Sequence, residues 1–120
     1  MASRTLTVVR HAHSEAARPG QDDADRPLSA RGQREAGLAA VAFARSVDRQ
    51  DVPLLLASPS RRTRATAEEF ARALGLDPAS VQTDERLYLA SVDALFDVLQ
   101  GVEDAQRHVV VIGHNPGLSD

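Results

Sequence analysis

The sequence predicts an α/β fold: a three-layer α/β/α sandwich around a mostly parallel central sheet. Short apolar runs at Leu6–Val9, Pro53–Ala57 and His108–Ile112 alternate with longer stretches of helical period, the pattern of strands joined by crossover helices. The first run stops at Arg10-His11 and the last at Gly113-His114. Apolar strands thus deliver polar groups to the carboxyl edge of the sheet, where open α/β folds bind their ligands.

In chain order, the first strand is expected over Thr5–Arg10. Ala16–Pro27 (AARPGQDDADRP) lacks hydrophobic periodicity and is rich in Pro, Gly and Asp, which reads as a loop. A loop of that length is either a lid over a site or an acidic surface loop. Ser29 caps a helix reaching about Ser46, with Ala36, Ala39, Ala40, Phe43 and Val47 on its inner face. Pro53–Ala57 is a short buried strand. Ser58-Pro59 then reads as N-cap and first helical residue, because proline there loses no hydrogen bond. The helix that follows buries Ala67, Phe70, Ala71 and Leu74 and is closed by Gly75. Val81–Thr83 is a short strand. Ser91 caps a further helix with Val92, Leu95, Phe96 and Leu99 inward, and Gly101 ends it before the last strand.

The length suits one domain over residues 1–120 with a core of its own. Because a helix should begin near Gly117, close to Asp120, that domain is expected to lack its C-terminal elements. With aromatics at 3%, Ala, Val and Leu must fill the core. The chain has no cysteine, hence no disulfide, thiolate metal site or cysteine nucleophile. No apolar stretch approaches the roughly 20 residues that span a bilayer. A cytoplasmic setting without membrane contact is the expectation. A net charge of −3 argues against a nucleic-acid partner. Every cation is an arginine, so an anion site must be built from guanidinium forks, which suit bidentate contact with phosphate.

Four segments carry candidate chemistry. Arg10-His11 ends the first strand. In Ser58–Glu68 (SPSRRTRATAE) a helix N-terminus faces the same edge, and Arg62 can reach over it toward a bound anion, while Arg61 and Arg64 lie on other sides. In Val109–Gly117, Gly113 lets the chain turn so that His114 points outward, and Asn115-Pro116-Gly117 is good turn chemistry by itself. Asp84 and Glu85 form a carboxylate pair between elements.

Together and in this order the segments resemble the histidine phosphatase superfamily, whose fold is shared with phosphoglycerate mutases. Arg10-His11 matches the family's phosphate-binding arginine and nucleophile. Ser58, Pro59, Arg62, Thr66 and Ala67 match a Ser-Pro-x-x-Arg-x-x-x-Thr-Ala pattern, which makes Arg62 the second phosphate arginine. Gly113-His114 matches the second catalytic histidine. Arg26-Pro27-Leu28-Ser29 with Gly32, the pair Leu87-Tyr88 and the short length are most similar to SixA-type phosphohistidine phosphatases. The family's usual Arg-His-Gly is Arg-His-Ala here, through Ala12, and Ala17 stands where many members place an asparagine.

The resemblance implies a phosphatase acting through a phosphohistidine on His11, with Arg10, Arg62 and His114 binding the phosphoryl group and Glu85, or its neighbour Asp84, as general acid. It implies no cofactor and no metal. The implied substrate is a phosphohistidine-bearing protein or a small phosphoester; oligomeric state is open. Two other readings compete. One is a metallohydrolase using His11-Ala12-His13 with Asp22, Asp23 and Asp25, although barrel enzymes with that pattern are far longer. The other is a phosphate-binding module without turnover. A two-histidine phosphodiesterase is disfavoured, because Asn115-Pro116 follows His114 without the needed hydroxyl residue.

Overall fold

The computed structural model describes residues 5–48, 52–88, 91–102 and 106–114. In chain order the elements are β1 (Thr5–Arg10), α1 (Ala30–Ser46), β2 (Leu54–Ala57), α2 (Arg61–Ala73), β3 (Gln82–Thr83), α3 (Val92–Gln100) and β4 (His108–Gly113). Short 3-10 turns occur at Asp23–Asp25, Pro78–Ser80 and Glu85–Leu87. The strands form one sheet in the order β1-β4-β2-β3, and every pairing is parallel.

Alternation along the strands sends successive side chains to opposite faces. Leu55, Ala57, Val110 and Ile112 pack with Ala40 of α1 and Ala67, Phe70 and Ala71 of α2. Leu56, Val109 and Val111 pack with Leu95 and Val98 of α3 and with Leu87. Among the described residues, two helices thus cover one face and one helix the other, giving the three layers. No helix among the described residues is long and apolar enough to cross a membrane.

Capping fixes the helix starts. The hydroxyls of Ser29 and Ser91 accept N–H bonds from Gly32 and Ala94, as expected. α2 differs. Its N-cap is Ser60, which accepts from Thr63, and not Ser58. The Ser58 N–H still bonds to Ile112 O at 3.2 Å, so the sheet ladder continues one residue past β2 and the helix opens later. Gly75 follows the α2 cap with φ of 75°, a left-handed turn that glycine adopts without strain.

Burial also departs from expectation. β1 is paired only with β4 among the described residues, and its Leu6 and Val8 are 44% and 41% exposed. They lie in register with Val109 and Val111 on the α3 face, but α3 covers the middle of the sheet and not this edge. Phe96, expected inward, is 57% exposed for the same reason. On α1 the buried positions are Gly32, Ala36 and Ala40, while Ala39 is exposed. Asn115-Pro116-Gly117 and the helix expected there lie outside the described residues.

Candidate active site

The parallel register assembles the site. Arg10 pairs with Gly113 and Ala57 with Ile112, so the residues after β1, β4 and β2 emerge side by side at the carboxyl edge. His11 N–H donates to Gly113 O at 3.1 Å, which ties the first histidine to the strand that carries the second. The His11 and His114 ring centroids stand 5.4 Å apart at 63°.

His11 Nδ1 lies 2.7 Å from Ala12 O. A carbonyl only accepts, so Nδ1 carries the proton and Nε2 keeps its lone pair. Arg62 Nε–H points at that nitrogen from 3.4 Å. Arg62 is 2% exposed. Its Nη1 donates to Asp23 O at 2.6 Å and its Nη2 to Asp23 Oδ2 at 2.8 Å, while Nη2 also meets His114 Nδ1 at 3.3 Å. On its other side His114 Nε2 lies 2.8 Å from Ser58 Oγ. The Ser58 hydroxyl displaced from the cap is therefore used to hold the second histidine.

Electrostatics keep both histidines neutral. Burial first, then the positive charge of Arg62 and the neighbouring His11, push His114 down to about 4. Burial likewise lowers His11, with the Arg62, Arg10 and Arg26 guanidinium groups adding to the effect against the Ala12 carbonyl. A neutral imidazole with a free lone pair is a nucleophile.

The acidic loop before α1 enters this site. Asp23, on the first 3-10 turn, receives the Tyr88 hydroxyl at Oδ2 (2.5 Å) and Arg26 Nε at Oδ1 (2.9 Å), besides its two bonds from Arg62. The Tyr88 hydrogen bond and the Arg62 partner hold its carboxyl well below the usual carboxylate range. Tyr88 in turn sets its ring against His114, with centroids 5.3 Å apart at 77°. Behind the cluster, Thr66 Oγ1 accepts the Ala12 N–H at 3.2 Å and donates to Arg62 O at 2.9 Å, which joins α2 to the His11 segment.

His11, Arg62 and His114 are thus brought together. Arg10 is exposed at the end of β1 and lines an open cleft with His11, His13 and Arg26. Glu85 is exposed at the start of the 3-10 turn that leads to Tyr88. Asp84 is bound by Arg86 through Nε at 3.1 Å and Nη2 at 2.7 Å, and that pairing lowers its pKa. His13 is exposed, with Nδ1 2.7 Å from Ser29 Oγ. Among the described residues no group of three or more His, Cys, Asp or Glu side chains is placed to hold a metal ion. Sequence reasoning gave Asp23 only a metal-binding reading and gave Ser58 and Tyr88 no contact in the site. The available signal was that Tyr88 is the chain's sole tyrosine and directly follows the carboxylate turn.

Residues 6–114 match the family described as Histidine phosphatase superfamily (branch 1). The uncharacterized protein Rv1276c of Mycobacterium tuberculosis is 36% identical over 111 residues, a match covering 92% of this chain and 65% of the relative. The chain therefore spans less than two thirds of that relative's length. Among solved structures, SixA from Agrobacterium tumefaciens superposes with a TM-score of 0.81 at 30% identity, over 95% of this chain and 70% of that one. The protein histidine phosphatase SixA complexed with tungstate superposes with a TM-score of 0.78 at 27% identity, over 94% of this chain and 70% of that one.

Proposed function

The chain belongs to the histidine phosphatase superfamily, and from that premise we propose that it is a phosphatase acting through a phosphohistidine intermediate on His11, with a protein-borne phosphohistidine as its substrate. The observation that carries this reading is the state of His11: Nδ1–H is fixed to the Ala12 carbonyl, and the Nε2 lone pair faces the buried guanidinium of Arg62.

Phosphoryl transfer asks a protein chiefly for positioning and charge stabilisation. His11 Nε2 attacks phosphorus in line, a new N–P bond forms, and the bond to the leaving group breaks. Arg62 and Arg10 take the charge on the non-bridging oxygens. In the structure His114 Nδ1 accepts from Arg62 Nη2 and its Nε2–H donates to Ser58 Oγ. Once a phosphoryl oxygen takes Arg62 Nη2, the Ser58 hydroxyl can donate to Nε2 instead, and the proton then on Nδ1 meets that oxygen. Water then attacks the phosphohistidine, releasing inorganic phosphate and restoring the His11 lone pair. An imidazole leaving group departs as a neutral ring once protonated, whereas an alcohol needs a firmer proton donor. The family resemblance assigns that proton to Glu85, while Asp84 is paired with Arg86 and Asp23 with Arg62. The scheme calls on no metal.

The exposed cleft beside His11 supports a protein-borne substrate, because a phosphorylated side chain on a folded partner needs open access. The test compares a phosphohistidine-bearing phosphotransfer domain with p-nitrophenyl phosphate, both with chelator present, for the wild type and for His11→Ala. Fast loss of the protein phosphate that depends on His11 is the expected result. A preference for the ester would retain the mechanism and replace the substrate class with small phosphoesters. Full activity in a folded His11→Ala variant would refute the mechanism.

A further inference from the structure

We propose that Asp23 is a positioning residue that clamps one end of the Arg62 guanidinium and thereby presents its other donor edge to the phosphoryl group. The proposal rests on the phosphatase reading and assigns the acidic loop before α1 a part in it.

A guanidinium is a planar fork with five N–H donors, and a carboxylate or phosphate can engage two adjacent donors at once. The contacts of Arg62 divide into two kinds. At the far end, Nη1 and Nη2 make short bonds of 2.6 and 2.8 Å to the carbonyl and carboxylate of Asp23. Along the side, Nε and Nη2 make long contacts of 3.4 and 3.3 Å to ring nitrogens of His11 and His114. The long contacts are weak hydrogen bonds that an anionic oxygen readily replaces. The short ones anchor the group. The Nε/Nη2 edge, facing the ring nitrogens of the two histidines, is therefore the edge offered to phosphate.

Asp23 is itself held from both sides. Oδ1 accepts Arg26 Nε and Oδ2 accepts the Tyr88 hydroxyl, so the carboxylate cannot follow Arg62 if that side chain swings. A flexible arginine carries large rotamer entropy, and fixing it beforehand removes that cost from the binding step. The opposite role for an acidic side chain in a phosphate site is to occupy the site as an internal competitor. The geometry disfavours it, because Asp23 takes the end of the guanidinium and leaves the histidine-facing edge.

The two roles predict opposite signs, and direct binding separates them. Affinity for inorganic phosphate is measured by titration calorimetry on the wild type, Asp23→Ala, Asp23→Asn and Asp23→Glu, each checked for a cooperative thermal melt. The clamp predicts about 10-fold weaker binding in Asp23→Ala and Asp23→Asn, the equivalent of one lost charge-assisted hydrogen bond. Asp23→Glu, which keeps the charge, is expected closer to wild type. If Asp23→Ala does not fold, the isosteric Asp23→Asn carries the test. Unchanged or tighter phosphate binding in the folded variants would overturn the clamp while leaving the phosphatase reading intact. A wild type that binds no phosphate would overturn both. A loop that served only folding would lower the melting temperature without changing the affinity of the folded molecules, which also overturns the clamp.

Discussion

Gly32→Ala sets helix propensity against packing, and the two disagree in sign. Within a helix, alanine is favoured over glycine by about 1 kcal/mol, so propensity alone predicts a more stable protein. The structure predicts the reverse. A Cβ on Gly32 would overlap the His13 carbonyl oxygen and stand 2.8 Å from the carbonyl carbon, where ordinary contact begins at 3.4 Å. Backbone is on the receiving side, so no side chain can turn away. The His13 carbonyl that must retreat accepts the Ser29 N–H at 3.0 Å and the Ser29 hydroxyl at 3.2 Å, and that hydroxyl caps α1. Overpacking costs about 1–3 kcal/mol and the weakened cap about 1 more, for a net loss of about 1–3 kcal/mol after the propensity gain. His13 lies two residues from His11, and a displacement of about 1 Å at a reacting group costs on the order of 100-fold in rate. Urea unfolding and turnover are the assays. Gly37→Ala is the control on the same helix, since a Cβ there meets only Glu69 Oε2 at 3.9 Å. It should gain stability and keep activity. A Gly32→Ala protein as stable and active as Gly37→Ala would refute the packing argument.

Two further predictions concern protons. Burial holds His114 down at about 4 and lowers His11 as well, so between about pH 6.5 and pH 4 the unfolded chain binds protons that the folded one refuses. Stability is then complete above about pH 6.5 and falls with acidification through that window, by about 3 kcal/mol from His114 alone. Denaturant unfolding at a series of pH values measures this; a flat profile down to pH 4.5 contradicts the neutral-histidine assignment, and His114→Gln should flatten the slope. Glu85→Gln should slow hydrolysis of an alkyl phosphoester on the order of 100-fold or more, the usual worth of a general acid, and change phosphohistidine hydrolysis little. Equal losses on both substrates, or none on either, would remove Glu85 from the assigned role.

The sequence by itself determined whatever depends on neighbours along the chain. Alternation of apolar runs with helical period placed the four strands and three helices seen among the described residues, the serine at the start of α1 and of α3 marked the caps, and Gly75 marked the turn after α2. Because parallel strands bring their carboxyl ends to one edge, the sequence suggested one site built from His11 and His114, while the adjacency of β1 and β4 that sets their rings together came from the tertiary structure. Tertiary structure decided what depends on a partner distant in sequence or on what lies above a surface. Ser60 caps α2 because β4 draws Ser58 into the ladder, an interaction 54 residues away in the chain. Leu6, Val8 and Phe96 have the pattern of buried residues but remain exposed, because period reports which face a side chain is on and not whether another layer covers that face. The landing of Asp23 on Arg62, across 39 residues, follows from where an aperiodic loop comes to rest against the sheet edge. No local pattern encodes that position; it is fixed only when the buried guanidinium finds its counter-charge.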